Sequence, residues 1–383
     1  MKVSTPWRLI FLLGLVSLFA DVTYEGARSV IPVYFTFILG ATVFLLGVVV
    51  SFGDFLGYGL RLVTGPLADL WRKYWAMTFI GYLVNLMAVP LLALAGNWQS
   101  AALLIVLERV GKAIRTPARD VIISNVSKGV GRGKAFGIHE VMDQVGAVAG
   151  PSLAMAILYF READYRFTFL VFSIPAFMAL LALVVAYFFY RSHEAELTPE
   201  RPEIEGTLQR KYWTYLLVIF ISTAGFMQMQ FLLYRAKEHA VMAEWMVPSL
   251  MLMAMAVDAL FAIVAGFAYD RFGLKVIYTV FPATAIAVLP AMFPSSALFF
   301  LSAVMIGVVL GLQETVERAA VADLAPVKVR GKAYGIFNGA YGFSLLVGGA
   351  TIGYLYTLGF ETIVAYAILT QIVASIIAIK YIK

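Results

Sequence analysis

The sequence Arg-Gly-Lys-Ala-Phe-Gly-Ile at residues 132–138 returns as Arg-Gly-Lys-Ala-Tyr-Gly-Ile at residues 330–336, an offset of 330 − 132 = 198 residues. A second pair, Gly-Pro-Leu-Ala-Asp at 65–69 and Gly-Phe-Ala-Tyr-Asp at 266–270, lies 270 − 69 = 201 residues apart. Two landmarks at nearly one offset indicate that the halves of the chain are copies of one unit. In an apolar chain, duplicated halves are typical of transporters, which build a site between two bundles.

The composition predicts a membrane protein. Hydrophobic residues make up 62% of the chain and charged residues only 14%, whereas about half apolar is usual for soluble proteins. We count twelve apolar stretches of roughly 20 or more residues, each long enough to cross about 30 Å of hydrocarbon as a helix. Helices are expected because lipid offers no hydrogen-bond partner to an open backbone. The stretches lie near 8–37, 42–64, 75–95, 99–122, 136–160, 167–190, 213–234, 242–266, 276–293, 296–320, 332–356 and 360–380.

Lysine and arginine fall mainly in alternate loops, which predicts the orientation. The basic segments lie near residues 2–8, 72–73, 128–134, 191–211, 271–275, 328–332 and 380–383. The loops near Gly40, Gly96 and Ser295 carry no positive charge. Both termini are therefore predicted to be cytoplasmic, in a multi-pass protein of the cell membrane. The first apolar stretch is too long for a cleavable signal peptide, and the net charge of +6 records this asymmetry without indicating nucleic-acid binding.

The one long polar segment, 191–212, is a predicted cytoplasmic linker between two six-helix bundles, 1–190 and 213–383. No other stretch is long and polar enough to fold as a catalytic domain, so an enzyme is not expected. The absence of cysteine excludes disulfides, thiolate metal sites and cysteine nucleophiles. No Gly-rich loop carries the Lys-Ser/Thr pair of a phosphate cradle, and no cofactor or resident metal is predicted.

Several of these features together resemble the major facilitator superfamily. The run Gly266-x-x-x-Asp270-Arg271-x-Gly273-x-Lys275 is similar to its signature loop, and the first copy departs from that loop at Leu70 and Arg72. Four further runs resemble a group of prokaryotic transporters of poorly defined substrate, at 21–25, 108–112, 115–120 and 139–143. The resemblance covers essentially the whole chain and implies secondary transport by twelve helices in two bundles.

The first apolar stretch carries Asp21, Glu25 and Arg28 at i, i+4 and i+7, on one helix face. Asp21 lies near mid-span, where a charged side chain costs about 2.5–3.5 kcal/mol or more, so this face is expected to point into the bundle. Asp21 is the predicted main proton-coupling carboxylate, with Glu25 as a second. The alternative is a Glu25–Arg28 pair that only fixes helix packing.

The fourth stretch places Glu108, Lys112, Arg115 and Arg119 on one face, with Arg109 beside it. The resemblance implies that the first and fourth helices line a central path, so these bases and the first-stretch acids are expected to meet there. By the same resemblance, Arg109 matches a basic position of proton-coupled drug antiporters. A stripe of bases favours an anionic substrate. The alternative is that Arg115 and Arg119 extend to lipid phosphates.

Other ionisable residues complete the predicted site. Asp54 is expected to balance a base of the fourth stretch and to join in proton coupling. His139 and Asp143, four apart, are predicted cavity and coupling residues, although the following Gly146-x-x-x-Gly150 run is typical of a close helix contact. The run Gly146-x-x-x-Gly150-Pro151 also resembles an antiporter motif of drug exporters, which favours export.

The second half carries fewer ionisable groups. Glu314 and Arg318 are predicted cavity residues that pair at i,i+4, with Glu317 nearby. Asp258 lies inside the eighth stretch, and Gln228 is a predicted cavity residue among methionine and phenylalanine.

The duplicated loops predict a cytoplasmic gate. Asp69 and Asp270 end the second and eighth stretches and are expected to pair with bases of the neighbouring bundle. Because the first copy lacks the usual arginine, Asp69 is predicted to rely on Arg119 or Arg132. The predicted gate residues are Gly65, Asp69, Arg72, Arg119, Arg132, Gly266, Asp270, Arg271 and Arg330.

The leading interpretation is a monomeric secondary transporter that exports a small organic molecule in exchange for protons, through Asp21 or Glu25. One alternative is an organic-anion transporter that uses Lys112 and Arg115. Another is a divalent-metal exporter using Asp21, Glu25, His139 and Asp143, which the absent thiols and nearby cations oppose. A non-transporting membrane receptor, which would tolerate neutralising substitutions in the cavity, is the alternative of another class.

Overall fold

The computed structural model describes residues 5–127, 131–191, 207–326 and 329–381, and these residues form helices and no strand. The predicted all-α fold is therefore confirmed. Residues 192–206, most of the predicted linker, lie outside the described residues. The α-helices are α1 Thr5–Val33, α2 Val43–Gly59, α3 Arg61–Trp71, α4 Tyr74–Leu91, α5 Trp98–Val126, α6 Arg132–Phe160, α7 Tyr165–Val171, α8 Ser173–Arg191, α9 Arg210–Ala224, α10 Met229–Glu238, α11 Pro248–Phe272, α12 Ile277–Ala287, α13 Ser296–Leu312, α14 Arg318–Leu324, α15 Arg330–Tyr356 and α16 Phe360–Tyr381.

Within the described residues, ten helical segments are long and apolar enough to cross a membrane. One of them, Glu244–Met292, runs over both α11 and α12 and is 49 residues long. The helix α5 is 29 residues long but carries a row of charged side chains and is not among the ten. The structure thus confirms a polytopic helical protein, and the count of twelve spans stays a prediction.

The sequence repeat recurs in the helix bounds. The helix α5 covers Trp98–Val126, and the continuous helical segment made of α13, the π-helical turn Gln313–Glu317 and α14 covers Ser296–Leu324. Both bounds differ by 198 residues (296 − 98 and 324 − 126). The helices α6 and α15 also begin 330 − 132 = 198 residues apart. The two halves, α1–α8 and α9–α16, therefore share their helical plan.

Glycines allow the helices that surround the centre to approach closely. A Cβ atom at Gly150 of α6 would lie only 2.6 Å from the backbone nitrogen of Gly26 on α1, and one at Gly146 would lie 2.8 Å from the Cβ of Asp21. Side chains larger than hydrogen do not fit at such contacts. The close helix contact that the Gly-x-x-x-Gly spacing predicts is confirmed.

The two halves touch at the end where α6 ends and α11 begins, called here the closed end. The Tyr165 hydroxyl donates to Glu244 Oε1 at 2.8 Å, and Lys237 forms an ion pair with the same carboxylate. The Tyr159 and Trp245 rings meet with centroids 5.0 Å apart. The Tyr165–Glu244 hydrogen bond and the Tyr159–Trp245 ring contact join the first half to the second half at this end, and Lys237 holds Glu244 from within the second half.

Candidate functional site

A cavity of about 540 Å³ lies between the two halves. It extends to the end where α6 and α15 begin, the open end, because Phe136 and Tyr334 line it and Phe136 is exposed. All of the predicted proton-coupling and cavity residues line this one space. They are Asp21, Glu25, Arg28, Asp54, Glu108, Arg109, Lys112, Arg115, His139, Asp143, Gln228, Glu314 and Arg318.

Three acids of the first half form ion pairs with two arginines. Arg109 Nε lies 3.1 Å from Asp54 Oδ1 and 3.2 Å from Glu108 Oε2. Arg28 lies 3.3 Å from Glu25 and 3.7 Å from Asp54. These side chains are largely buried, where charges are found paired. The expectation that Asp54 balances a fourth-stretch base is confirmed, and that base is Arg109. The Glu25–Arg28 pair also forms.

Lys112 and Arg115 have no carboxylate oxygen within 4 Å among the described residues. Lys112 Nζ donates to the Tyr24 hydroxyl at 3.0 Å and lies 4.1 Å from that ring. Arg115 is 1% exposed, and its guanidinium lies 4.3 Å from the Tyr82 ring. Its Nε and Nη1 atoms have no hydrogen-bond partner. Arg115 therefore does not extend to lipid phosphates, and Lys112 reaches the helix carrying Asp21 through Tyr24 and not through an ion pair.

Arg119 is engaged by one side chain of its own helix and one of α1. Its guanidinium pairs with Asp120 at 2.9 Å and donates to Ser17 on α1 at 3.3 Å. This arginine lines the cavity nearer the open end and is not paired with Asp69 in this conformation.

Asp21 and Asp143 lie where α1 and α6 meet, and both line the cavity. Asp21 is 5% exposed and its Oδ1 has no hydrogen-bond partner. His139 Nε2 lies 3.8 Å from Asp143 Oδ1, and neither ring nitrogen of this histidine has a hydrogen-bond partner. The sequence left a helix contact and the cavity wall as alternative positions for His139 and Asp143. The structure places them at both.

The cavity acids of the second half, Asp258 and Glu314, form no ion pair within 4 Å among the described residues, and Gln144 of α6 hydrogen-bonds Asp258. Asp258 is 3% exposed with an unpartnered Oδ1. The predicted Glu314–Arg318 pair is wrong for this conformation, because the π-helical turn Gln313–Glu317 replaces the α-helical spacing on which it relied. Glu317 is 0% exposed, and both of its carboxylate oxygens lack a partner.

A helix break between α9 and α10 brings Gln228 to the other half. Gln228 Oε1 accepts from Ser51 of α2 at 2.7 Å, and its Nε2 donates to the Leu345 carbonyl at 2.9 Å. Gln230 donates to the same Oε1. The sequence pointed to Gln228 as a cavity residue, but the break was missed. Gly225, immediately after α9, was its only local signal.

Sequence reasoning missed three buried polar side chains of the site. Tyr24 follows Asp21 by three residues and so shares its helix face, which was an available signal. Tyr82 and Asn85 lie one turn apart on α4, and Asn85 Nδ2 donates to Glu108 Oε1 at 2.6 Å. Polar residues in an apolar stretch indicate a partner, but not which one.

The predicted gate residues form no ion pair across the two halves within the described part of the chain. Asp69 instead accepts a hydrogen bond from Tyr74 at 3.1 Å, and Arg330 donates to the Ala325 carbonyl. The side chain of Arg132 lies outside the described residues. Their role as a gate therefore remains a prediction. The other predicted members are Gly65, Arg72, Arg119, Gly266, Asp270 and Arg271.

The described residues contain no group of three or more histidine, aspartate or glutamate side chains that could hold a metal ion. Asp21, Glu25, His139 and Asp143 share the cavity without forming such a cluster.

Comparisons with known proteins define the class of the chain as membrane transport. Residues 10–280 and 239–383 match the family model of the Major Facilitator Superfamily. An uncharacterized protein of Mycobacterium tuberculosis is 36% identical over 379 residues, 97% of this chain and 92% of the relative. An uncharacterized MFS-type transporter of Methanocaldococcus jannaschii is 26% identical over 383 residues, 96% of this chain and 93% of the relative. The chain belongs to the major facilitator superfamily, as its motifs predicted.

Solved transporters share its fold. A mutant of the nucleoside transporter NupG aligns with a TM-score of 0.78 at 13% identity, over 98% of this chain and 100% of that one. The peptide transporter POT in complex with sulfate gives 0.76 at 14%, over 98% and 95%. A bacterial homologue of the human lysosomal transporter Spinster, inward-facing and unoccupied, gives 0.67 at 15%, over 100% and 96%. Family and fold together indicate a transporter and not an enzyme.

Proposed function

We propose that this protein is a twelve-helix secondary transporter with six helices in each half, and that it exports a small organic molecule in exchange for protons. The charged helix α5 and the division of Glu244–Met292 into α11 and α12 support the count of twelve. The basic segments near 72–73, 271–275 and 330–332 lie at the open end, which supports a cytoplasmic position for that end and for both termini. The cavity then faces the cytoplasm, and a monomer suffices to form it.

The observation that carries proton coupling is the state of Asp21. This carboxylate is buried, lacks a partner at Oδ1 and lies on the cavity wall. An ionised carboxylate in such a position bears a desolvation cost that a bound proton removes. When the cavity opens to water on the other side, that cost changes, so proton binding at Asp21 is linked to which side is open.

The position of Lys112 supports a link between substrate binding and proton binding at Asp21. It bonds to Tyr24 on the same face as Asp21 and has no carboxylate partner within 4 Å. A substrate that draws Lys112 away changes the charge near Asp21. The antiporter-like run at 146–151 supports export as the direction.

The test begins with ligand discovery in the purified protein. A ligand that binds only the native state raises its melting temperature, so a thermal-shift screen over a pH series identifies a transported probe. In reconstituted vesicles, Asp21→Asn should lose flux driven by a pH gradient and retain exchange of the probe down its own gradient. Asp164→Asn is the matched control, since Asp164 only caps α7 and asparagine caps equally well. Undiminished gradient-driven flux in Asp21→Asn would refute the assignment.

A further inference from the structure

The geometry points to a zwitterionic substrate, and this inference rests on the proposed transport function. We propose that Lys112 and Arg115 of the first half bind its anionic group, and that Asp258 and Glu314 of the second half bind its cationic group. All four side chains line the same cavity from opposite halves. A substrate with both charges would contact both halves at once.

The positive pole consists of Lys112 and Arg115, one turn apart on α5. The single hydrogen bond of Lys112, to Tyr24, leaves two of its three ammonium hydrogens for a ligand. Arg115 lies behind it, 4.3 Å from the Tyr82 ring and 5.8 Å from the Tyr24 ring, with two donor nitrogens unpartnered. The nearby acids Glu25 and Glu108 are already paired with Arg28 and Arg109. A carboxylate at Lys112 would therefore meet an ammonium group that no carboxylate of the described residues contacts within 4 Å.

The negative pole consists of Asp258 on α11 and Glu314 on the π-helical turn. Asp258 is a buried carboxylate with an unpartnered Oδ1 on the cavity wall. It repels Glu314, and Glu140 of α6 adds negative charge from the first half. Arg318 attracts Glu314 without forming an ion pair. Gln144 of α6 already hydrogen-bonds the Asp258 carboxylate, and an ammonium group would relieve the repulsion and donate to the unpartnered Oδ1.

The two poles can act on one ligand because their side chains line one cavity. Glu314 and Lys112 are near enough to interact electrostatically without an ion pair between them. Met251, Met255 and Leu310 also line the space and offer an adaptable apolar surface for the body of the molecule. A ligand with one charge leaves the other pole unpaired, and sites with buried unpaired polar groups discriminate strongly against such ligands.

The test uses matched trios of compounds on one carbon skeleton. Each trio contains an amino carboxylate, the carboxylate without the amine and the amine without the carboxylate. Examples are phenylalanine, 3-phenylpropanoate and 2-phenylethylamine, with ω-amino acids of increasing length and their fatty-acid and alkylamine partners. Binding to the purified full chain is measured by thermal shift and titration at one fixed pH, with no gradient. At least one amino carboxylate should bind at least tenfold more tightly than both of its partners.

Substitutions assign the poles. Lys112→Gln should weaken the amino carboxylate at least tenfold and leave its affinity near that of the plain amine. Glu314→Gln should leave the affinity for the amino carboxylate near that for the plain carboxylate. Lys112→Arg should restore part of the affinity, and Asp164→Asn should change nothing. Equal binding within every trio, tighter binding of a singly charged member, or no binding by any amino carboxylate overturns the proposal.

The result separates this inference from the proposed function. Asp21→Asn should keep the preference for the amino carboxylate while it loses gradient-driven flux. If the trios fail but another probe shows flux that depends on Asp21, the substrate class is wrong and proton coupling stands. If an amino carboxylate binds but its flux ignores Asp21, coupling is wrong and the substrate class stands.

Discussion

The helix α5 and its repeat copy, Ser296–Leu324, follow the same plan with opposite charges. At the offset of 198 residues, Arg119 corresponds to Glu317 and Asp120 to Arg318. Arg119 and Asp120 pair at 2.9 Å, whereas Glu317 is buried without a partner. Duplication kept the course of the helix, and divergence left an ion pair at these two positions only in the first copy. Glu317 therefore bears a desolvation cost when it is ionised.

The helix is interrupted at the same place in both copies, by different means. Pro117 lies inside α5, and the π-helical turn Gln313–Glu317 occupies the corresponding positions of the second copy. Proline and π-turns both remove regular α-helical hydrogen bonds. In the second copy the interruption separates Glu314 from Arg318, which leaves an acid free on the cavity wall.

The largest effect is expected at Arg109, which lies between Asp54 and Glu108 in the ion-pair network of the first half. Arg109→Met leaves Glu108 without an arginine and Asp54 with only Arg28, at 3.7 Å, and should destabilise the protein by about 3–5 kcal/mol, as breaking buried pairs does. Thermal or denaturant unfolding in detergent measures it. Adding Asp54→Asn should recover part of the loss, because one orphaned charge is removed. Additive effects of the two changes would show that Asp54 and Arg109 do not interact.

A substitution in the second copy, Ser296–Leu324, should change the stability of the protein in the opposite direction. Glu317→Leu removes a buried carboxylate that has no partner, and the change should be neutral or should stabilise the protein by about 1–4 kcal/mol. Arg119→Leu, at the corresponding position, is the comparison variant and should destabilise because it leaves Asp120 unpaired. A strong loss of stability in Glu317→Leu would indicate a hidden partner and would remove the contrast between the copies.

The close helix contacts made by glycine should respond to alanine substitution in the same way in both halves. Gly150 meets the backbone of Gly26, and its repeat counterpart Gly348 meets the Ala224 backbone, with the Cα only 3.0 Å from an added Cβ. Alanine at either position should therefore cost about 1–3 kcal/mol through overpacking. Gly137→Ala, on the same helix as Gly150 but with open space around it, should stabilise by about 0.5–1 kcal/mol. Equal unfolding midpoints for Gly150→Ala and Gly137→Ala would contradict this close contact.

The smallest expected effect concerns the closed end. Tyr165→Phe removes the hydrogen bond to Glu244 between the halves, worth about 1 kcal/mol. Populations should shift about fivefold away from this conformation. Because the chain has no native cysteine, a cysteine pair introduced across the closed end reports the shift as slower crosslinking. Tyr234→Phe, whose hydroxyl bonds within its own helix to Glu238, is the matched control and should crosslink at the parental rate.

The sequence allowed prediction of what depends on period and spacing. The repeat, the Gly146–Gly150 contact and the partnership of Asp54 with a fourth-stretch base all follow from residues a fixed number of positions apart. The π-helical turn, the break after Ala224 and the Tyr24–Lys112 bond depend on packing between distant segments, which no local pattern encodes. The Glu314–Arg318 prediction failed for that reason: it assumed a regular helix where neighbours impose another geometry.

The contact between α15 and the α2–α3 pair runs nearly the full length of the molecule. Added Cβ atoms at Gly353, Gly342 and Gly335 would lie 3.2, 2.9 and 2.8 Å from Phe44, Tyr58 and Leu62 respectively. Both ends of this ladder stay joined although the cavity opens at only one end. The halves are therefore expected to rotate relative to each other about this line of contact. The cavity wall, which lies away from that axis, should then move further than the contact itself. Probe pairs attached on either side of this helix contact should keep a constant separation through the transport cycle. They would serve as a reference distance for probes placed elsewhere.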